Sequence, residues 1–150
     1  MIDATPSDYR PPARIRVVVV ALIVHPRRPA LFVSESSDRT GQRLHRPCGG
    51  GIAFGETSAV ALRREFAEEF ATQIEVGPRL AVWENIFAFN DAPGHEWIVV
   101  HEASFCDERF LTDGRWPVRD VPTDIGVWRP LTGAHGIPLY AEGLLDLVTP

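Results

Sequence analysis

Residues 49–71 read GGGIAFGETSAVALRREFAEEFA. Thr57 or Ser58 can cap a helix, and neither Gly nor Pro interrupts the chain from there to Ala71, so residues 57–71 are predicted to be helical. Ala59, Leu62, Phe66 and Phe70 fall within one angular sector and give this helix an apolar face for the core. With Glu65 set at zero on a helix of about 3.6 residues per turn, Glu69 lies about 40° away and Glu68 about 60° to the other side. Three carboxylates therefore share one face beside the apolar sector, at the expected edge of the core. Their mutual repulsion costs a few tenths of a kcal/mol per i, i+4 pair. Arg64 can pair with Glu68 to offset part of it, and the remaining negative charge suits a hard cation such as Mg²⁺ or Mn²⁺. The glycines ahead of the helix allow close backbone approach, which would turn a carbonyl such as that of Gly49 toward the metal. A solvated helix face behind a flexible turn is the alternative reading of these residues.

Outward from this stretch the chain alternates strand-like and turn-like segments. Residues 15–24, rich in β-branched side chains, read as a buried strand, and residues 30–34 as its hairpin partner across the turn at residues 25–29. Residues 36–42 form a polar loop. Residues 79–89 and 96–105 are two further strand candidates around the turn-rich residues 90–94. Residues 110–123 are irregular, residues 126–129 a short strand, and residues 140–148 a terminal helix that closes the core. Residues 1–13, polar and proline-rich, read as a flexible N-terminal arm ahead of one domain over residues 14–150. The strands flank the long helix without regular alternation, so the fold class is mixed α/β.

The chain has 150 residues, 45% of them hydrophobic and 23% charged, which fits one globular domain. Its longest apolar run, residues 17–24, falls far short of the roughly 20 residues of a membrane helix. The N-terminal residues lack the layout of a secretion signal, and two cysteines cannot build a disulfide framework. A cytoplasmic location without membrane attachment is expected. A net charge of −5 argues against extended nucleic acid as a partner. All fifteen basic residues are Arg, so no mechanism can use a catalytic lysine.

The spacing of Gly50, Glu56, Arg64, Glu65, Phe66, Glu68 and Glu69 resembles the signature of the Nudix hydrolase family, G-x5-E-x7-R-E-U-x-E-E-x-G-U, where U is bulky and apolar. Every charged position agrees. Ala71 and Thr72 depart from the closing glycine and apolar residue, which affects how the helix ends rather than the acidic cluster. The resemblance implies an α/β/α sandwich with a mixed central sheet. It also implies hydrolysis of a diphosphate linkage in a nucleotide-type small molecule with Mg²⁺ or Mn²⁺. By this likeness Glu65, Glu68 and Glu69, with the Gly49 carbonyl, are metal ligands. Glu65 or a nearby carboxylate such as Glu69 helps deprotonate water, Arg64 orients the acids, and Glu56 braces the loop–helix junction.

Outside the signature, Arg46 and Arg43 are the candidates for substrate phosphate, with Arg39 further upstream. Trp83, Phe87 and Trp97 offer aromatic faces for a base, against a plain role in the core. Asp120, Asp124 and Glu96 are candidates for a further carboxylate, and His95 for a place beside Glu96. Cys48 reads as a small apolar filler. A nucleotide-binding or regulatory module without hydrolysis is the alternative function, a prenyl diphosphate isomerase a more remote one, and a homodimer is compatible with the sequence.

Overall fold

In the computed structural model the described residues are 5–132, 136–141 and 143–148. The valine-rich segment forms strand β1 (Ile15–Leu22), which pairs antiparallel with β4 (Gly49–Gly51) on one side and parallel with β6 (Ala92–Phe105) on the other. The long hairpin of β5 (Ile74–Phe89) and β6 completes a mixed four-stranded sheet in the order β4-β1-β6-β5. A second, antiparallel sheet has the order β3-β2-β8-β7, from β2 (Ala30–Ser37), β3 (Arg43–Pro47), β7 (Trp116–Pro117) and β8 (Ile125–Pro130). The bridge between Val24 and Leu31 joins the two sheets at their hairpin corner.

Helix α1 (Ser58–Phe70) begins at Thr57, whose hydroxyl accepts the Val60 N–H, and ends at Ala71 in the left-handed conformation (φ 51°). It buries Ala61, Leu62, Phe66 and Phe70. Strand alternation sorts the core into two clusters. Val19, Ala21, Phe32, Val99 and Trp128 pack with the helix on one face. Val18, Leu22, Leu31, Val33, Ile98, Val100 and Val127 pack with Leu144 on the other. Full burial of side chains such as Leu62 and Phe66 contributes about 1.5–3 kcal/mol each.

The mixed α/β fold agrees with the sequence reading, and several segments differ in detail. Strands β1 and β2, expected to pair as a hairpin, lie in different sheets and meet only at the Val24–Leu31 corner, because both edges of β1 are taken by β4 and β6. The polar residues 36 and 37 continue β2 instead of opening a loop, because they pair with Leu44 and Arg43 of β3. Strand β5 starts at Ile74, before Gly77 and Pro78, and two register shifts between Val76 and Ala81 absorb these residues at the sheet edge. The terminal helix expected at residues 140–148 is reduced, among the described residues, to one 3-10 turn at Leu144–Leu147 entered through Gly143 (φ 86°); Glu142 lies outside the described residues. Residues 1–4 of the expected arm lie outside them as well.

Candidate active site

Strand β4 and the first two turns of α1 face each other across a loop, and Arg64 fastens the junction. Its Nε and Nη2 donate to the two oxygens of Glu56 at 2.7 and 2.9 Å, and Nη2 also donates to the Gly51 carbonyl at 2.9 Å. Nη1 donates to Glu65 at 2.9 Å and to Glu68 at 3.2 Å. One planar fork thus ties three carboxylates and a strand carbonyl together. The hydrogen bonds from Arg64, joined by the Ala53 N–H, hold the Glu56 carboxyl at about 2, and Glu56 in turn raises the already high pKa of Arg64.

Gly50 faces this assembly from β4. A Cβ there would stand 2.5 Å from Oε2 of Glu65, so only glycine leaves room for that carboxylate. At Gly49 a side chain would run into the backbone of Val19 and Val20, its partners in β1. The glycines are therefore a pressed strand that makes room for acids, a tighter structure than a flexible turn.

One turn further along α1 the chemistry changes. Burial, together with the nearby charges of Glu65, Asp120 and Asp124, pushes the Glu69 carboxyl up to about 9. Asp124, at the start of β8, is also raised by burial, against the opposing pull of Arg46, Thr123 and Ser34. The Arg46 guanidinium stands 4.0 Å from Asp124, and the Thr123 hydroxyl donates to it at 3.1 Å. The Glu69 backbone carbonyl accepts the Arg119 N–H at 2.8 Å, which docks the loop carrying Asp120 onto the end of the helix. Cys48 is buried beside these groups, and burial, with Glu69 and Asp124, drives its thiol pKa up, as suits a filler rather than a nucleophile.

Glu65, Glu69, Asp120 and Asp124 line a cleft of about 500 Å³ together with Gly49, Gly50, Arg43, Arg46, Phe87, Phe89 and Tyr9. Its size falls in the range of small-molecule sites. Glu68 is about half exposed and stays at the side of the cleft with Arg64. Among the described residues no three carboxylate, imidazole or thiol groups converge at ligating distance. The donor set nevertheless suits a hard divalent ion, being made of oxygens. Arg64 engages only Oε1 of Glu65, and both oxygens of that group lie over Gly50.

The remaining expected residues are distributed around this centre. Arg43 reaches the cleft but donates at 2.7 Å to Glu35, and Arg39 pairs with Asp91. Glu96 pairs with Arg16 at 3.1 Å beside a smaller pocket, and His95 with Glu84 at 2.8 Å. Trp83 packs on the second core cluster, Phe87 borders the cleft, and Trp97 is partly exposed.

Sequence reasoning missed Glu35. Burial disfavours its charge, but hydrogen bonds from Arg43 and His45, then the charge of Arg43 and a bond from Arg115, outweigh it and hold Glu35 at about 2. Arg129 can only donate to Nδ1 of His45, so Nε2–H of His45 donates to Glu35. A charged residue among the small polar residues 34–37 was the available signal, and it reads equally well as a loop.

A sequence profile described as the NUDIX domain matches residues 14–130. Among solved structures, the chain is similar to a MutT NUDIX hydrolase from Burkholderia pseudomallei, with 22% identity and a TM-score of 0.65 over 91% of this chain and 99% of that one. It is also similar to the E. coli ORF135 protein, with 21% identity and a TM-score of 0.57 over 90% and 86% of the two chains. A third similar structure is a UDP-X diphosphatase, with 16% identity and a TM-score of 0.60 over 95% and 63%. No curated protein gives a significant match. At these identities the neighbours speak for the fold, and the profile speaks for the family. The glycine strand, the Arg64 fork and the acids of the cleft all fall within the matched residues, and this chain belongs to the NUDIX domain family, the family of the Nudix pyrophosphohydrolases.

Proposed function

We propose that the protein is a divalent-metal-dependent hydrolase that cleaves the diphosphate linkage of a nucleoside triphosphate, a dinucleoside polyphosphate or a nucleotide sugar. The observation that carries this reading is Glu69, a partly buried carboxyl crowded by Glu65, Asp120 and Asp124 in a substrate-sized cleft. Such crowding is costly unless a cation relieves it.

In this reading Glu65, Glu68 and Glu69, with the Gly49 carbonyl, hold Mg²⁺ or Mn²⁺. When bound, the ion neutralises phosphate oxygens and acidifies a water. The chain's own residues do the rest. Arg64 fixes Glu65 and Glu68 through charged hydrogen bonds, and Glu56 fixes Arg64, so the acids are placed before substrate arrives. Glu65 or Glu69 accepts the proton of the attacking water. Arg46, on the rim beside Asp124, supplies a charged donor for a phosphate oxygen, with Arg43 next to it.

The test is a panel of nucleoside triphosphates, dinucleoside polyphosphates and nucleotide sugars, each assayed with Mg²⁺, with Mn²⁺ and with chelator. Metal-dependent release of phosphate or pyrophosphate products is expected for at least one class. Binding without cleavage under every metal and pH condition would assign the chain to the non-hydrolytic alternative.

A further inference from the structure

We propose that residues 5–13, which precede the matched family domain, form a wall of the cleft, and that Tyr9 acts there with Phe89 and Phe87 as an aromatic clamp for a nucleotide base. This rests on reading the cleft as the substrate site.

The arm is fastened along the cleft. Pro6 pairs parallel with Ser37 at the end of β2, and the Ser7 N–H donates to the Ser37 carbonyl at 3.2 Å. Asn90, buried in the β5–β6 turn with φ 52°, spends its side-chain amide on the same segment. Its Nδ2 donates to the carbonyls of Ser7 and Tyr9, each at 2.8 Å, and its Oδ1 accepts the Arg39 N–H at 2.9 Å. Asn tolerates the left-handed region better than most residues, and this one uses it to join three segments at one end of the cleft.

These anchors hold up a side chain that is not itself buried. Tyr9 is 47% exposed and borders the cleft, its ring centroid 6.2 Å from that of Phe89 at a tilt of 51°. The two rings meet as a tilted aromatic pair, and the exposed part of Tyr9 leaves surface on which a planar guest can stack. On the same side of β5, Asn85 presents an amide to the cleft two residues from Phe87. That amide has no hydrogen-bond partner among the described residues and can both donate to and accept from a base edge. The cleft thus combines acids, the Arg43 and Arg46 guanidinium groups, aromatic rings and an amide, the groups that the diphosphate and the base of a nucleotide call for.

The experiment is calorimetric titration of the full-length protein with AMP, GMP, CMP, UMP and inorganic pyrophosphate, comparing wild type, Tyr9→Ala and Tyr9→Phe. At least one monophosphate is expected to bind. Tyr9→Ala should weaken it about tenfold, within the range of one lost base–aromatic stack. Tyr9→Phe should stay near wild type, and pyrophosphate should bind all three proteins alike. The proposal is overturned if no monophosphate binds, if Tyr9→Ala binds as wild type does, or if pyrophosphate weakens equally. Turnover assays on the same proteins separate the two claims. Base-selective loss without hydrolysis keeps the clamp and removes the hydrolase; hydrolysis without base-selective loss does the reverse.

Discussion

Arg64 and Glu69 stand on the same helix, little more than one turn apart, and their surroundings are opposite. Around Arg64 every carboxylate has a cationic hydrogen-bond donor: three carboxylates and a strand carbonyl converge on one guanidinium. Around Glu69 the neighbours that shift it are other acids, and the Arg46 guanidinium leans toward Asp124 at 4.0 Å. The first arrangement completes the fold. The second is completed only by something the fold does not contain, and the difference predicts opposite responses to mutation.

The largest effect is expected at the incomplete end. Glu69→Gln should lower turnover about a thousandfold, equivalent to about 4 kcal/mol in the barrier. The same variant should leave the thermal stability of the metal-free protein unchanged or raise it, because it removes a repelled acid. Steady-state kinetics and calorimetric melting check both halves, and a fall in stability would erase the contrast.

At the complete end the sign reverses. Arg64→Ala leaves Glu56 and Glu65 without their shared donor and should lower the Tm of the metal-free protein by a few degrees, less than loss of a fully buried ion pair because the guanidinium is partly exposed. An unchanged Tm would mean that the fork is ornamental.

The pH dependence of metal-free stability sharpens the comparison. Glu69 is raised from 4.5 to about 9, so between those values the folded protein retains a proton that the unfolded chain has released. Stability should therefore fall as pH rises from about 5 to about 9, and Asp124 acts in the same direction. Glu35 and Glu56, lowered to about 2, act oppositely: their contribution is present above about 4.5 and lost as pH falls toward 2. Melting curves without metal should thus peak near pH 5, and saturating Mg²⁺ should remove most of the alkaline decline by binding the ionised acids. A decline that Mg²⁺ leaves untouched would detach it from the cluster.

The smallest effect lies at Ala71, where the chain departs from the family signature and still adopts the left-handed cap. Ala71→Gly should relieve that strain at some entropic cost, a net gain of about 0.5 kcal/mol or a Tm rise of 1–2 °C.

How much of this was legible in the sequence follows from how local each feature is. Helix α1 and its acidic face were readable because capping and periodicity act within one segment. Gly50 was readable as a glycine requirement, yet its reason, the Glu65 carboxylate pressed over it, needs two elements in register. The Glu35 node was hidden because its partners Arg43, His45 and Arg115 come from β3 and a distant loop, and nothing near Glu35 announces them. Asn90 looked like an ordinary turn residue, since a bond to Ser7 across 83 positions leaves no local trace. The terminal helix failed for a local reason that competed with its apolar pattern: Gly143 takes φ 86° and only one 3-10 turn follows.

The central claim is that Glu65 and Glu69 mark a divalent-cation site, and an anomalous difference map from crystals soaked in Mn²⁺ tests it most directly. A peak touching both carboxylates beside the Gly49 carbonyl is expected. A map at saturating Mn²⁺ with no peak there, or with Mn²⁺ bound only elsewhere, would contradict it.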